Sequence, residues 1–359
     1  MPFKSNTLDL CTPDRPLNLA KKIVIVDGMI GGGKNLVSSI ISSLPNVEMW
    51  LDSPKLEQVC ALHHLGHLSL DAAKSLINTW MEDDIYNQNL SRYTNFKPSD
   101  VSSVFHNSRP LKYFKRLFKT PLNAKKSIEK EKPVLNLMTH VNTSYSMPLF
   151  EALGERLTYI RVTRHPMSTY LLNHNRNWTE RWMIDDRHAT ILYKTFDQNY
   201  KRIHIPFYVK SIEKKYLDAN PIDRVILLFD QWIKNSDNLI DKVTKTTNAN
   251  VIEIPYESFV FQPLIYIKKI ALSLGVTPDK ITHKMMRKQG VPRASLNDVP
   301  KNKLFAKIGW EPSKRKFTLS ENFSQGRAYA AETASLEALS ILDKLAEDYE
   351  KRHNIIKYI

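Results

Sequence analysis

The chain alternates short unbroken apolar runs with longer stretches in which apolar residues recur every three or four positions. Ile23-Val24-Ile25-Val26-Asp27 is the first run, and a glycine cluster follows it. Leu36, Val37, Ile40, Ile41 and Leu44 then form a helical stripe. Further helical stretches fall around 56–65 and 71–87. Pro133 to Met138 and Leu157 to Val162 read as buried strands, the second leading to Pro166 at the first turn of a helix. Val251 to Ile254 is another strand, and Pro263 to Leu274 is a helix closed by Gly275. Arg327 to Arg352 reads as one long helix with Leu336, Leu339, Leu342, Leu345 and Tyr349 on one side. Strands alternating with helices predict an α/β fold, a three-layer P-loop-like architecture with a central, mainly parallel sheet and helices on both faces.

The intervening segments set the expected organisation. Residues 1–20 read as an N-terminal arm, and 21–359 as a single α/β domain with helical insertions at about 55–130 and 173–245 and the C-terminal helix 327–352. Residues 91–130 are polar and basic, broken by Pro98, Pro110 and Pro121. Residues 173–220 are rich in aromatic and charged side chains without a clean repeat, so they read as an insertion over a site and not as core. Trp178, Trp182, Tyr193, Phe196, Tyr200, Phe207 and Tyr208 would supply a platform for a sugar or an aromatic acceptor, or packing. Glu82-Asp83-Asp84 reads as a solvated face.

Composition narrows the class. The 359 residues are 42% hydrophobic and 25% charged, enough for a real core. Lys and Arg outnumber Asp and Glu 52 to 37, a net charge of +15 that favours an anionic partner. Two cysteines, Cys11 and Cys60, give neither a disulfide framework nor a metal cluster. Met1 to Ala20 has no secretory apolar core, and no run approaches the ~20 apolar residues of a membrane span, so a cytoplasmic, soluble protein is expected, with peripheral membrane contact left open. His63, His64 and His67 have helical spacing but no evident carboxylate partners, so no metal is expected there.

The chemistry concentrates at the glycines. Gly28 to Lys34 has the G-x-x-x-x-G-K spacing of a phosphate-binding loop, with amides converging at the positive end of a helix. Asn35 stands where a nucleotide triphosphatase carries the Ser or Thr that holds magnesium. Three adjacent glycines are costly in a mere turn, and a lysine at a helix start opposes the dipole unless an anion is near. Three later segments belong with this loop: Leu137-Met138-Thr139-His140, Tyr159-Ile160-Arg161-Val162-Thr163-Arg164-His165-Pro166, and Pro255-Tyr256-Glu257-Ser258 with the helix ending Leu274-Gly275.

In order and spacing, from about residue 21 to 275, these four segments resemble the sulfotransferase superfamily, which uses 3′-phosphoadenosine 5′-phosphosulfate (PAPS). The resemblance implies that Gly31, Gly32, Gly33, Lys34 and Asn35 cradle the 5′-phosphosulfate and that Lys34 stabilises charge at the leaving phosphate. It implies His140 as general base and Arg164 at the 3′-phosphate, assisted by Ser168, Thr169 or Asn173. Arg287 and Lys288, in the basic loop 287–293, correspond loosely to a closing Arg-Lys-Gly loop, interrupted here by Gln289. Tyr256 and Glu257 would be structural. The chain departs from the pattern at Met138, where a lysine is common, and at Leu172, where a serine is usual. The implied reaction needs no metal and carries a sulfuryl group to an acceptor hydroxyl or amine, a carbohydrate being one candidate. A P-loop kinase and a non-enzymatic nucleic-acid binder are the alternatives. The strand at 134–138 carries no Asp for a second metal contact, and no stacking motif stands out for nucleic acid.

Overall fold

The computed structural model describes residues 12–175, 191–196, 201–296, 298–299 and 318–355. Its centre is a five-stranded sheet built from β1 (Lys22–Gly28), β2 (Leu51–Asp52), β3 (Val134–Met138), β4 (Leu157–Thr163) and β7 (Asn250–Pro255). The order is β2-β3-β1-β4-β7, and every pair is parallel. β3 is buried along its whole length and β1 from Ile23 onward, as mostly apolar strands are when both sheet faces are covered; the buried Asn136 donates to Ser42 Oγ at 3.0 Å.

Parallel strands need crossovers, and right-handed crossovers put leftward and rightward connections on opposite faces. Helix α1 (Lys34–Ile41) leaves β1 toward β2 and packs on α12 (Lys280–Lys288), while α11 (Pro263–Leu274) lies on β7. On the other face α2 (Pro54–His64), α3 (Leu70–Asn89) and α6 (Met147–Leu153) pack together, and α9 (Pro221–Thr246) contacts α6 and β7. Among the described residues the remaining α-helices are α4 (Pro110–Arg116), α5 (Pro121–Glu131), α7 (Pro166–Asn175), α8 (Glu213–Asp218), α10 (Tyr256–Phe261), α13 (Leu319–Thr333) and α14 (Leu336–His353). The α/β class with helices on both faces is therefore as the periodicity predicts. No helix among the described residues is long and apolar enough to cross a membrane.

Register matters most for function. Val26 lies opposite Met138, Gly28 opposite Val162, and Thr163 opposite Pro255. The carboxyl ends of four strands thus lie along one edge, and the segments after them meet there. That edge, beside the strand where chain direction across the sheet reverses, is where ligands bind in open parallel sheets.

Several expectations need correction. The end of the aromatic stretch 173–220 reaches the core: Phe207, Tyr208 and Tyr216 are buried, as are Phe229 and Trp232 of α9, and a hairpin of β5 (Leu192–Phe196) and β6 (Arg202–Pro206) precedes them. Trp178, Trp182 and Tyr200 lie outside the described residues. The C-terminal helix is two helices, because Ser335 turns the chain and caps α14 through its side chain on Ala338 N. Part of the arm is packed, with Leu17 and Ala20 buried and one Glu82 carboxylate accepting from the amides of Asn18, Leu19 and Ala20. Glu82 is consequently no solvated residue, nor is Asp84, which pairs with Lys55 at 2.5 Å. The basic stretch 91–130 also reaches inside, where Arg116 and Lys112 hold the buried Glu48.

Candidate phosphate-binding site

After β1 the backbone wraps into a loop whose glycines are fixed by contact. Gly31 has φ +81° and a Cβ there would lie 2.4 Å from Leu172, so Leu172 packs directly against the loop. Gly33 has φ +99° and a Cβ there would lie 2.4 and 2.7 Å from the Tyr256 ring. Gly33 is the N-cap of α1 and its carbonyl takes the amides of Leu36 and Val37. The amides of Gly33, Lys34 and Asn35 have no acceptor among the described residues, the usual state of a helix's first turn. Asn35 is the second residue of α1 and half-buried.

Lys34 turns back into the loop. Its Nζ donates to the carbonyls of Gly28 at 2.7 Å and Met29 at 2.9 Å, and the residue is only 5% exposed. Burial lowers its pKa to about 8, against the opposing pull of Asp27, Glu57 and Asp52. Asp27, fully buried at the end of β1, accepts from Thr139 Oγ1 at 2.9 Å and from the amides of Asn142 and Thr143 at 3.1 and 2.7 Å. It ties the end of β1 to the turn after β3. Sequence reading missed this role, although an aspartate closing a buried strand was a visible signal.

Arg164 follows β4. It donates to Gly31 O at 3.0 Å, and its guanidinium stands 4.5 Å from the centre of the Tyr256 ring. Its Nε is buried with no partner among the described residues. Arg293 approaches the same tyrosine and donates to its hydroxyl at 2.8 Å. Tyr256, which the sequence reads as structural, and Arg293, the last residue of the basic loop 287–293, thus join the candidate site. Asn173 Nδ2 donates to Ile30 O at 3.0 Å and to Thr169 O at 2.8 Å, so it braces the loop. Ser168 instead donates to Asn322 on α13 at 2.7 Å. Arg287 and Lys288 sit in the last turn of α12 and not in a loop; Lys288 Nζ binds His106 O at 3.1 Å, and Arg287 is exposed.

His140 follows β3. One oxygen of Glu57 meets both its backbone amide at 2.7 Å and its Nδ1 at 3.2 Å, with an Asp52 oxygen 3.5 Å from Nδ1. The next residue, Val141, has φ +56°, a costly conformation for a β-branched side chain, and donates to Gly28 O at 3.1 Å. Asp52, Glu57 and His140 offer ligand atoms all within 4.8 Å of one another, near enough to share one cation.

Beside the loop lies a cavity of about 430 Å³, bounded by β4, β7, α9 and α14 and reaching Gly28, Met29 and Arg164. Ion pairs line part of it: Arg161 with Asp237 at 2.5 Å, and Arg352 with Asp237 at 2.8 Å and Glu253 at 2.9 Å.

No protein-family model and no curated protein matches this chain. Among solved structures it is similar to the sulfotransferase domain of the Synechococcus PCC 7002 olefin synthase, at 14% identity and TM-score 0.38 over 89% of this chain and 98% of that one. It is also similar to the sulfotransferase domain of the curacin biosynthetic pathway, at 9% identity and TM-score 0.35, covering 86% and 97%. Sulfotransferase STF1 of Mycobacterium tuberculosis H37Rv follows at 11% and 0.36, covering 80% and 75%.

Proposed function

We propose that this chain is a sulfotransferase that moves a sulfuryl group from PAPS to an acceptor hydroxyl or amine. The observation that carries the proposal is the meeting, at one sheet edge, of a glycine loop with open helix-start amides and a buried ammonium, a guanidinium and a histidine, from three separate segments.

Each group has a part to play. The amides of Gly33, Lys34 and Asn35 would receive the anionic oxygens of the phosphosulfate. Lys34 would exchange a carbonyl for the oxygen on which charge develops as the S–O bond breaks. Arg164, aligned by Gly31 O and Tyr256, would hold a nucleotide phosphate through its remaining N–H groups. His140 would take the acceptor's proton. Fixed cations suffice for a donor of this charge, so Asn35 in the magnesium position fits the proposal.

The test is thermal unfolding with adenosine 3′,5′-bisphosphate in the presence of a chelator. At about 100-fold excess over Kd the ligand adds ~2.7 kcal/mol of stability. Arg164→Ala should weaken binding by roughly 1.5–3 kcal/mol, the contribution of a charged hydrogen bond. No shift at saturation would remove the proposal. The Asp52–Glu57–His140 group favours a second reading, a metal-dependent P-loop kinase; stabilisation by ATP only with magnesium, and none by the bisphosphate, would select it.

A further inference from the structure

We infer that Glu57, backed by Asp52, is the positioning residue that locks His140 into the tautomer with its proton on Nδ1 and leaves Nε2 as the proton acceptor. The inference rests on the sulfuryl-transfer reading for the reaction that Nε2 serves, and on geometry alone for the lock itself.

Three elements build the lock. Asp52 ends β2, Glu57 lies in the first turn of α2, and His140 follows β3. A single Glu57 oxygen receives both the backbone amide and Nδ1 of His140, at 2.7 and 3.2 Å, so main chain and ring are fixed to one point. Carboxylates accept and do not donate when ionised, so a ring nitrogen at that distance is held as N–H. Asp52, 3.5 Å from the same nitrogen, adds a second negative group on that side. The positive φ of Val141 and its bond to Gly28 O turn the chain from His140 directly back onto the phosphate loop. A strained β-branched residue survives only where its surroundings over-determine it. Glu57 is 21% exposed and His140 35%, so the pair is neither sealed in the core nor free in solvent.

The reaction step balances as follows. The acceptor O–H gives its proton to His140 Nε2 while its oxygen forms a bond to sulfur. The bond between sulfur and the nucleotide's phosphate oxygen breaks, and that oxygen keeps the electron pair beside Lys34. The imidazolium then carries its second proton on Nδ1, where the carboxylates of Glu57 and Asp52 offset the charge. An orienting carboxylate behind a histidine base works in this way in hydrolytic triads.

Two measurements on the full chain test the inference. The first is the two-bond ¹H–¹⁵N spectrum of ¹⁵N-histidine-labelled protein above the ordinary imidazole range, with His140 assigned by its loss in His140→Gln. The wild type should show the Nδ1–H pattern, and Glu57→Ala should shift it toward Nε2–H. An Nε2–H pattern in the wild type, or no change in Glu57→Ala, overturns the inference. So does loss of the Nδ1 proton with broadening by Mn²⁺, which would make the carboxylates metal ligands. The second is release of adenosine 3′,5′-bisphosphate from PAPS with water as acceptor. Glu57→Gln, which keeps an acceptor oxygen but no charge, should slow it by ~10-fold or more while leaving the bisphosphate thermal shift unchanged, and the double variant with His140→Gln should be no slower than His140→Gln alone. Additive losses overturn the coupling. A locked tautomer with no turnover in any protein supports the lock and removes the sulfuryl-transfer reading instead.

Discussion

Gly33 shows how much one hydrogen atom decides at this site. Its φ is +99°, and a Cβ added there would meet Tyr256 carbons at 2.4 and 2.7 Å. The ring cannot give way, because Tyr256 is itself held by Arg164 and Arg293. Gly33→Ala should therefore cost about 1–3 kcal/mol in backbone strain plus the clash. Gly66→Ala is the control: φ is +77° and nothing lies within 4 Å, so only the strain applies. Equal losses of Tm in the two variants would refute the packing role of Tyr256. Lys34 gives a second residue-scale prediction. Its pKa falls from 10.5 to about 8 in the fold, so between those values the unfolded chain binds the extra proton and stability rises with pH. An anion at the loop needs the charged form. Affinity for adenosine 3′,5′-bisphosphate should thus fall as pH rises through about 8, and Lys34→Met should be weak and flat with pH; a flat wild-type profile by calorimetry would take Lys34 out of the site.

At the scale of elements, α4 is anchored through charge. Burial works to raise the Glu48 pKa, but Lys112 and Arg116 outweigh it and set the value at about 2. Arg116 donates to both carboxylate oxygens at 2.7 and 2.9 Å, and Tyr113 Oη adds a third bond at 2.9 Å. The folded pKa lies below the ordinary 4.5, so this stability is fully present above about 4.5 and is lost as pH falls toward 2. Arg116→Leu leaves a buried carboxylate short of its main partner and should cost about 3–5 kcal/mol at neutral pH. The deficit should shrink on acidification, when the carboxylate neutralises; a pH-independent deficit in urea unfolding would point to packing alone. Element boundaries are set by single side chains in the same way. Ser335 breaks what reads as one apolar stripe into α13 and α14, since a capping side chain outranks an uninterrupted period.

Across the whole molecule, α14 closes the fold onto the sheet edge. Tyr349 donates to the buried Glu257 at 2.7 Å, and Arg352 bridges Asp237 and Glu253. His353 lies in the same cluster, and burial, with Arg352 and Arg161 adding to it, lowers its pKa from 6.5 to about 4. The unfolded chain binds more protons across that window, so stability should fall as pH drops from about 6.5 to 4. His353→Gln should reduce that slope, by up to ~3 kcal/mol over the window, in denaturation series at several pH values. An unchanged slope would shift the acid sensitivity to other groups.

The strands at the sheet centre were legible because a strand covered on both faces must be apolar at every position, and Ile23 to Val26 and Leu157 to Val162 are close to that rule. The tight loop after β1 was legible because glycine tolerates the positive φ angles at Gly31 and Gly33 that other residues rarely adopt. β2, two residues long, carries no period to detect, and residues 173–220 gave no clean repeat although Phe207, Tyr208 and Tyr216 end in the core. Partnerships were the illegible part. Asp27 meets Thr143 across 116 positions, Glu57 meets His140 across 83, and Tyr256 meets Gly33 from the far end of the sheet. Local composition determines which backbone angles and faces a segment can adopt. Which side chains then face one another depends on strand order and register, and those are settled only when the apolar faces of distant segments are buried together.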